Sequence, residues 1–281
     1  DSFSADYELK YQPWTNLTDV ELQYMSRLES AKSVVVPGAG PGLGGLQIRQ
    51  KVSADCKVVV GDLSPEMVKL SEETFIKSGY GVNSPDSMTV VQVMDNQELP
   101  VESGSCDRYI ANLSIMLVPE PMKQLQEAYR VLQKGGLAVL STWGRPEFST
   151  FFTLPKKVMM TLGIELPPAR SNFHLGNSEE MKVKLKEVGF SKSFTYYNTI
   201  RQSIFEDADE YVQMLTASAN FRATLAKIGD KAEEFKKALK EEAQKIIDSG
   251  DLLSFDHLVV IATKQGSKEI QGFIFIDRTS L

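Results

Sequence analysis

Cysteine and histidine are scarce in this chain. Among 281 residues there are two of each: Cys56, Cys106, His174 and His257. A disulfide framework needs more thiols, and a structural zinc site needs four closely spaced ligands, so no metal is assigned. Basic residues do not outnumber acidic ones; Lys+Arg 31 against Asp+Glu 37 gives a net charge of −6. Proteins that lie on nucleic acid present net basic faces, so no nucleic-acid partner is expected. No apolar run approaches the roughly 18 residues of a membrane span, and no membrane span is expected. The first six residues, Asp1 to Asp6, lack the basic and apolar regions of a signal peptide. With two thiols that suit a reducing compartment, the expectation is a soluble, cytoplasmic protein. Apolar residues at 42% and charged residues at 24% are the balance of a globular chain, which excludes wholesale disorder. The length allows one large domain or a core domain with a cap.

What is present is a repeating pattern. Thr18, with Glu21 three residues on and Leu22, Tyr24, Met25 and Leu28 following, predicts a helix capped at Thr18. Short β-branched runs then alternate with helical segments. Strands are predicted at Ser33–Val36, Lys57–Val60, Met88–Met94, Arg108–Asn112 and Leu137–Thr142. Between them, Ser64 as cap and Pro65 at the first helical position open one helix. Met122 to Leu132 forms another, terminated by Lys134-Gly135-Gly136. Strands of four to six residues alternating with helices predict a doubly wound, mostly parallel α/β sheet. Ligands bind such sheets beyond the strand C-termini.

Two stretches interrupt the rhythm. Residues 145–175 carry Pro146, Pro155, Pro167 and Pro168 around a Phe- and Met-rich middle. Residues 206–250 read as helical, with Phe235, Leu239, Ala243 and Ile246 on one stripe and Glu233–Lys237 and Glu241–Lys245 pairs outside it. Glu179–Val188 is a helix, Ser193–Ile200 a strand, and His257–Thr263 the last sheet strand, with His257 taken as structural. Phe273–Ile276 has the pattern of an edge strand. The expected organisation is an N-terminal helical segment or lid over residues 1–30 and a core domain over 31–265. The two insertions form a substrate cap, and 266–281 is a tail.

The strand ending at Val36 runs into Pro37-Gly38-Ala39-Gly40-Pro41-Gly42-Leu43-Gly44-Gly45 and then a helix. Glycines let the backbone turn sharply and let a ligand approach it, and the helix N-terminus offers free N–H groups. Asp62 lies 20 residues after Gly42 at the end of the second strand, where a carboxylate accepts both hydroxyls of a ribose. Together these features predict an adenine-nucleoside cofactor. Gly40 to Gly45 matches the dinucleotide pattern G-x-G-x-x-G, and Gly38 to Gly42 matches the G-x-G-x-G of S-adenosylmethionine enzymes. The loop alone leaves both open.

Further motifs follow in order: Gly61-Asp62-Leu63-Ser64-Pro65-Glu66-Met67, Asp95-Asn96-Gln97-Glu98-Leu99-Pro100, Gly104 to Ser114, and Glu127 to Gly136. With the glycine loop, this set resembles the class I (Rossmann-like) S-adenosylmethionine-dependent methyltransferases. The likeness is to the small-molecule branch of ubiquinone/menaquinone-type enzymes, over about Ser33 to Thr142 and more weakly to Thr263. The resemblance implies a seven-stranded sheet, S-adenosyl-L-methionine as cofactor and a small-molecule substrate. It implies that the backbone at Gly38, Ala39 and Gly40 faces the methionine part, that Gly42 belongs to the same cofactor site, and that Asp62 holds the ribose. Leu63 and Met67 then pack on adenine, Asp95 with Asn96 accepts from its amino group, and Asn112 and Leu113 border the sulfonium. One departure stands out. The family often has an acid two residues before its first glycine, and here that residue is Val36. The departure keeps a cofactor-binding protein without turnover as an alternative, beside a nicotinamide-dependent oxidoreductase.

Methyl transfer needs alignment and a dry site more than a catalytic pair, so no catalytic residue is assigned beyond His174 as a candidate base. Tyr11, Trp14, Trp143 and His174 are the candidate substrate-side residues. The cluster of Phe148, Phe151, Phe152, Met159 and Met160 lines an acceptor pocket or forms the insertion's own core; Cys106 is read as core packing.

Overall fold

The structure is a computed structural model that describes residues 12–201 and 207–266. The first helix, α1, spans Gln12–Met25. It starts earlier than Thr18, and Thr18 is a buried mid-helix residue rather than a cap. Pro13 explains the earlier start, because proline fits the first turn, where its missing N–H has no intrahelical partner. Arg27, in the left-handed conformation at φ 51°, ends this region.

Strand β1 (Ser33–Pro37), helix α2 (Leu43–Lys51), strand β2 (Lys57–Asp62) and helix α3 (Pro65–Lys77) follow. Ser64 caps α3 as expected, its hydroxyl accepting the Met67 N–H at 3.3 Å. Then come β3 (Thr89–Val93), β4 (Cys106–Ala111), α4 (Pro121–Val131) and β5 (Leu132–Trp143). The expected helix stop at Gly135-Gly136 is corrected here. The helix ends at Val131, and both glycines belong to an irregular first part of β5. Leu132 pairs with Cys106, but Arg108 pairs with Leu137, and Gly135 at φ 80° takes up part of the extra length. After helix α5 (Thr150–Thr161) come α6 (Ser178–Val188) and β6 (Lys192–Ile200). Helices α7 (Ala208–Ala217), α8 (Ala219–Ile228) and α9 (Ala232–Asp248) precede β7 (Phe255–Thr263). The segment Phe273–Ile276 lies outside the described residues.

The seven strands are ordered β3-β2-β1-β4-β5-β7-β6. Strands β1 to β5 pair in parallel, with Val35 opposite both Val59 and Tyr109. Strand β7 runs against β5: the Gly135 N–H donates to the Lys264 carbonyl and the Lys264 N–H to that of Gly136. The sheet is therefore mixed but mostly parallel. Strand order reverses between β1 and β4, the switch point where such sheets bind ligands. Val34, Val36, Val58, Val60, Ile110 and Val139 are buried together in the core around these strands. Each fully buried side chain of this kind contributes about 1.5–3 kcal/mol.

The chain divides into two compact units. Of the described residues, one comprises 16–142, 178–196 and 259–266; the other comprises 12–15, 143–177, 197–201 and 207–258. The second unit has its own core of Phe151, Met159, Tyr211, Phe235, Leu239 and Phe255. Phe151 and Met159 therefore belong to that core, whereas Met160 is exposed. The stripe on α9 buries Phe235, Leu239 and Ala243 as expected. Its ion pairs differ from expectation: Glu233 pairs with Lys236 and Glu242 with Lys245, at 2.7 and 2.6 Å. Spacings of three and four residues both bring side chains to one helix face.

Candidate functional site

The loop after β1 alternates left-handed glycines, with φ 64° at Gly38, 55° at Gly40 and 86° at Gly42. Only glycine takes this geometry without strain. Space reinforces the requirement at two of them. A Cβ on Gly38 would stand 2.8 Å from the Ser114 Cβ and 3.0 Å from the Asn96 amide nitrogen. One on Gly42 would run into Ser71, whose Cβ is 2.8 Å away. Gly42 is buried by α3, while Gly38, Ala39 and Gly40 are half-buried.

Asp62 ties this loop to the end of β2. One carboxylate oxygen accepts the Gly40 N–H at 2.9 Å and the other accepts the Ser64 N–H at 3.0 Å. A carboxylate has about four acceptor positions, so two backbone bonds leave capacity for hydroxyls. Beside it, Leu63 is 65% exposed, an apolar face next to a carboxylate, and Met67 is buried beneath. Asp95, just past β3, accepts from the Gln97 backbone N–H at 2.8 Å and from its side chain at 3.3 Å. Asn96 is buried, its amide nitrogen against Gly38.

At the end of β4, Leu113 has φ 45°, a strained value for a branched side chain. Ser141 on β5 holds it there. The Ser141 hydroxyl accepts the Leu113 N–H at 2.9 Å and donates to the Asn112 carbonyl oxygen at 2.7 Å. This fixes the Asn112 amide so that its NH2 group points away from Ser141. That group donates to the carboxylate of Asp19 on α1. Asp19 and Ser141 were not found from sequence. The available signal for Asp19 was a charge one turn before Leu22, on the inward face of α1.

Gly38 to Gly42, Asp62, Asp95, Asn96, Asn112 and Leu113 therefore stand at the C-terminal ends of four neighbouring parallel strands of one unit. The donor set suits a nucleoside with an attached amino acid: a carboxylate with acceptor capacity, an adjacent apolar face and a backbone cradle closed to any Cβ. Trp143 and His174 belong to the other unit. The Trp143 ring packs on Phe152 and Phe255, with centroids 4.6 and 5.5 Å apart. The His174 Nδ1 lies 2.7 Å from the Ser171 carbonyl, so Nδ1 carries the proton and Nε2 is left as an acceptor. That Nε2 is buried without a hydrogen-bond partner among the described residues. Tyr11 lies outside the described residues, and Trp14 is placed on α1 only by its backbone. His257 is fully buried in β7, and Cys56 and Cys106 are free and buried. Burial pushes the Cys106 thiol up to about 12, as suits core packing. Among the described residues there is no cluster of metal-ligating side chains and no helix long and apolar enough to cross a membrane.

A methyltransferase domain model matches residues 35–140. The chain is 29% identical over 154 residues to the chloroplastic 2-methyl-6-phytyl-1,4-hydroquinone methyltransferase 1 of rice, covering 54% of this chain and 44% of that protein. It is 27% identical over 124 residues to the ubiquinone/menaquinone biosynthesis C-methyltransferase of Geobacter, covering 44% and 51%. The chain thus spans about half the length of these relatives or less. Among solved structures, the phosphoethanolamine N-methyltransferase 2 of Haemonchus contortus, in complex with phosphomonomethylethanolamine and S-adenosylhomocysteine, shares the fold. Its TM-score is 0.53 at 17% identity, over 89% of this chain and 52% of that one. These matches do not favour a nicotinamide enzyme. The match is confined to residues 35–140, and over that stretch, which holds the glycine loop and strands β1, β2, β3 and β4, the chain is similar to a methyltransferase domain.

Proposed function

We propose that this chain transfers a methyl group from S-adenosylmethionine to a small-molecule acceptor. The observation that carries the reading is Asp62, a carboxylate at the end of β2 bonded to the Gly40 N–H and still able to accept from a ribose. The backbone of Gly38, Ala39 and Gly40 receives the methionine part, and Gly42 lets α3 close behind the loop. Leu63 and Met67 pack on the adenine ring, Asp95 accepts from its amino group, and Asn96 holds the loop from beneath. Asn112 and Leu113, set by Ser141, border the sulfonium.

When bound, the cofactor supplies an activated methyl on a sulfonium whose leaving group is a neutral thioether. The residues' task is alignment and exclusion of water. On the acceptor side Trp143 and His174 are retained, with Tyr11 and Trp14 from the N-terminal segment. The bare Nε2 of His174 is the group able to take a proton from the acceptor. The 145–175 and 206–250 insertions are the substrate cap in this reading, and residues 1–30 the lid. A reducing cytoplasmic setting is supported by the free thiols, and the absence of a nucleic-acid partner by the acidic balance.

The test is direct. Calorimetry should show binding of S-adenosylmethionine and S-adenosylhomocysteine and none of a nicotinamide dinucleotide. Incubation with a metabolite panel should yield a product 14 mass units heavier, as methyl replaces hydrogen. Dinucleotide binding, or cofactor binding without any methylated product, would reject the assignment.

A further inference from the structure

A carboxylate stands beside the glycine loop that no motif supplied. Asp19 is on α1, in the same unit as β1 to β4. Its two oxygens lie 2.8 and 2.9 Å from where a Cβ on Gly44 would be, so it presses on the first turn of α2, and only glycine at 44 admits it. From the other side it accepts the side-chain hydrogen bond of Asn112, at the end of β4. It therefore touches both walls of the space between the β1 loop and the β4 end.

The carboxylate is poorly provided for there. Asp19 is half-buried as a residue, yet its charged end is enclosed, and burial pushes it up from 3.8 to about 7. Its side-chain donor among the described residues is the neutral Asn112 amide. The cation that acts on it, Lys51, has its ammonium on the Gln23 side-chain oxygen at 2.5 Å. A desolvated acid of this kind gains most from a cationic partner that brings its own hydrogen bonds. Meanwhile the place where the sequence resemblance implies an acid, two residues before the first glycine, is Val36, which is buried in the sheet core.

We propose that Asp19 is the counter-ion for the α-ammonium group of the cofactor's methionine part, delivered from α1 in place of an acid at position 36. This rests on the cofactor reading above. Ser141 is then a positioning residue: by accepting from Leu113 and donating to Asn112, it turns the Asn112 amide toward Asp19 and holds the carboxylate in place. The competing account is purely structural, with Asp19 a helix-terminus charge that steadies α2.

Ligand choice separates the accounts. Wild type and Asp19→Asn, as full chains, are titrated calorimetrically with S-adenosylhomocysteine and with 5′-methylthioadenosine, which keeps the nucleoside and thioether but has no amino acid. Asp19→Asn should weaken S-adenosylhomocysteine binding tenfold or more and leave 5′-methylthioadenosine within twofold. Equal weakening of both ligands, or no change in either, overturns the assignment while leaving the cofactor reading standing. Failure of the wild type to bind S-adenosylhomocysteine overturns both. If Asp19→Asn does not fold, Asp19→Ser is read by the same criteria.

Discussion

Two carboxylates, Asp62 at the end of β2 and Asp19 on α1, differ in how they are solvated, and that difference sets what each does. Asp62 is half-buried and held by two backbone N–H groups. Asp62→Ala should weaken S-adenosylmethionine binding by about 1.5–3 kcal/mol, since charge-assisted bonds to hydroxyls are lost. Titration calorimetry on the folded variant measures this, and unchanged affinity would remove Asp62 from the site. Asp19 has the opposite environment. Its folded value of about 7 lies above the unfolded 3.8, so the folded protein holds a proton that the unfolded chain has released. Its contribution to stability is therefore greatest at low pH and falls as pH rises from about 4 to 7. Relative to wild type, ligand-free Asp19→Asn should gain stability over that window, by up to about 4 kcal/mol at pH 8. Urea melts at pH 5 and 8 test it; a variant less stable than wild type at pH 8 would favour the structural role. Asp62 was a candidate from sequence because strand, loop and spacing surround it with pattern. Asp19 was not, because a charge on a helix reads as solvated unless its face is known.

At the level of elements, the β-branched runs and the glycine loop were legible, and boundaries failed where local signals competed. Thr18 with Glu21 has the form of a capping box, but Pro13 starts the helix earlier and tertiary packing buries Thr18. Gly135-Gly136 has the form of a helix stop, but Leu132 and Leu137 on either side pair with β4 and the glycines themselves hydrogen-bond Lys264 beside β7, which draws them into β5. The loop's glycines differ in purpose in a way the pattern G-x-G-x-G does not display. Gly42→Ala should destabilise the fold by about 1–3 kcal/mol, since φ 86° and the Ser71 side chain both oppose a Cβ. A thermal melt without ligand detects this. In the other unit, Asp256 is fully buried and accepts from the Arg145 guanidinium at 3.0 Å and from Thr199 at 2.7 Å, while that guanidinium lies over the Phe148 and Tyr197 rings. Removing one partner leaves the others unpaired. Asp256→Ala should cost about 3–5 kcal/mol in a denaturant melt, and a loss below 1 kcal/mol would show the pair to be dispensable.

For the whole molecule, the candidate cofactor residues are drawn from sequence positions as far apart as 19 and 141, yet all belong to one unit. Cofactor should therefore slow hydrogen exchange at four separated stretches together: 38–42, 62–67, 95–97 and 112–114. Protection of the glycine loop alone would indicate anion binding rather than a nucleoside site. The fold class was legible because alternation of strand and helix is a long-range pattern. The partition into two units was less so, because the second unit's core joins stretches that are far apart in sequence.

That partition bears on how such a chain can be re-engineered. The second core takes Phe151 and Met159 from one excursion of the chain, and Tyr211, Phe235 and Leu239 from another. Between the two excursions the chain returns to the first unit at 178–196. A chimera that imports only one excursion from a relative would confront half of one apolar core with half of another. Recombination that replaces the second unit has to exchange 143–177 and 197–258 as a matched pair. The first unit, interrupted twice, can stay as it is.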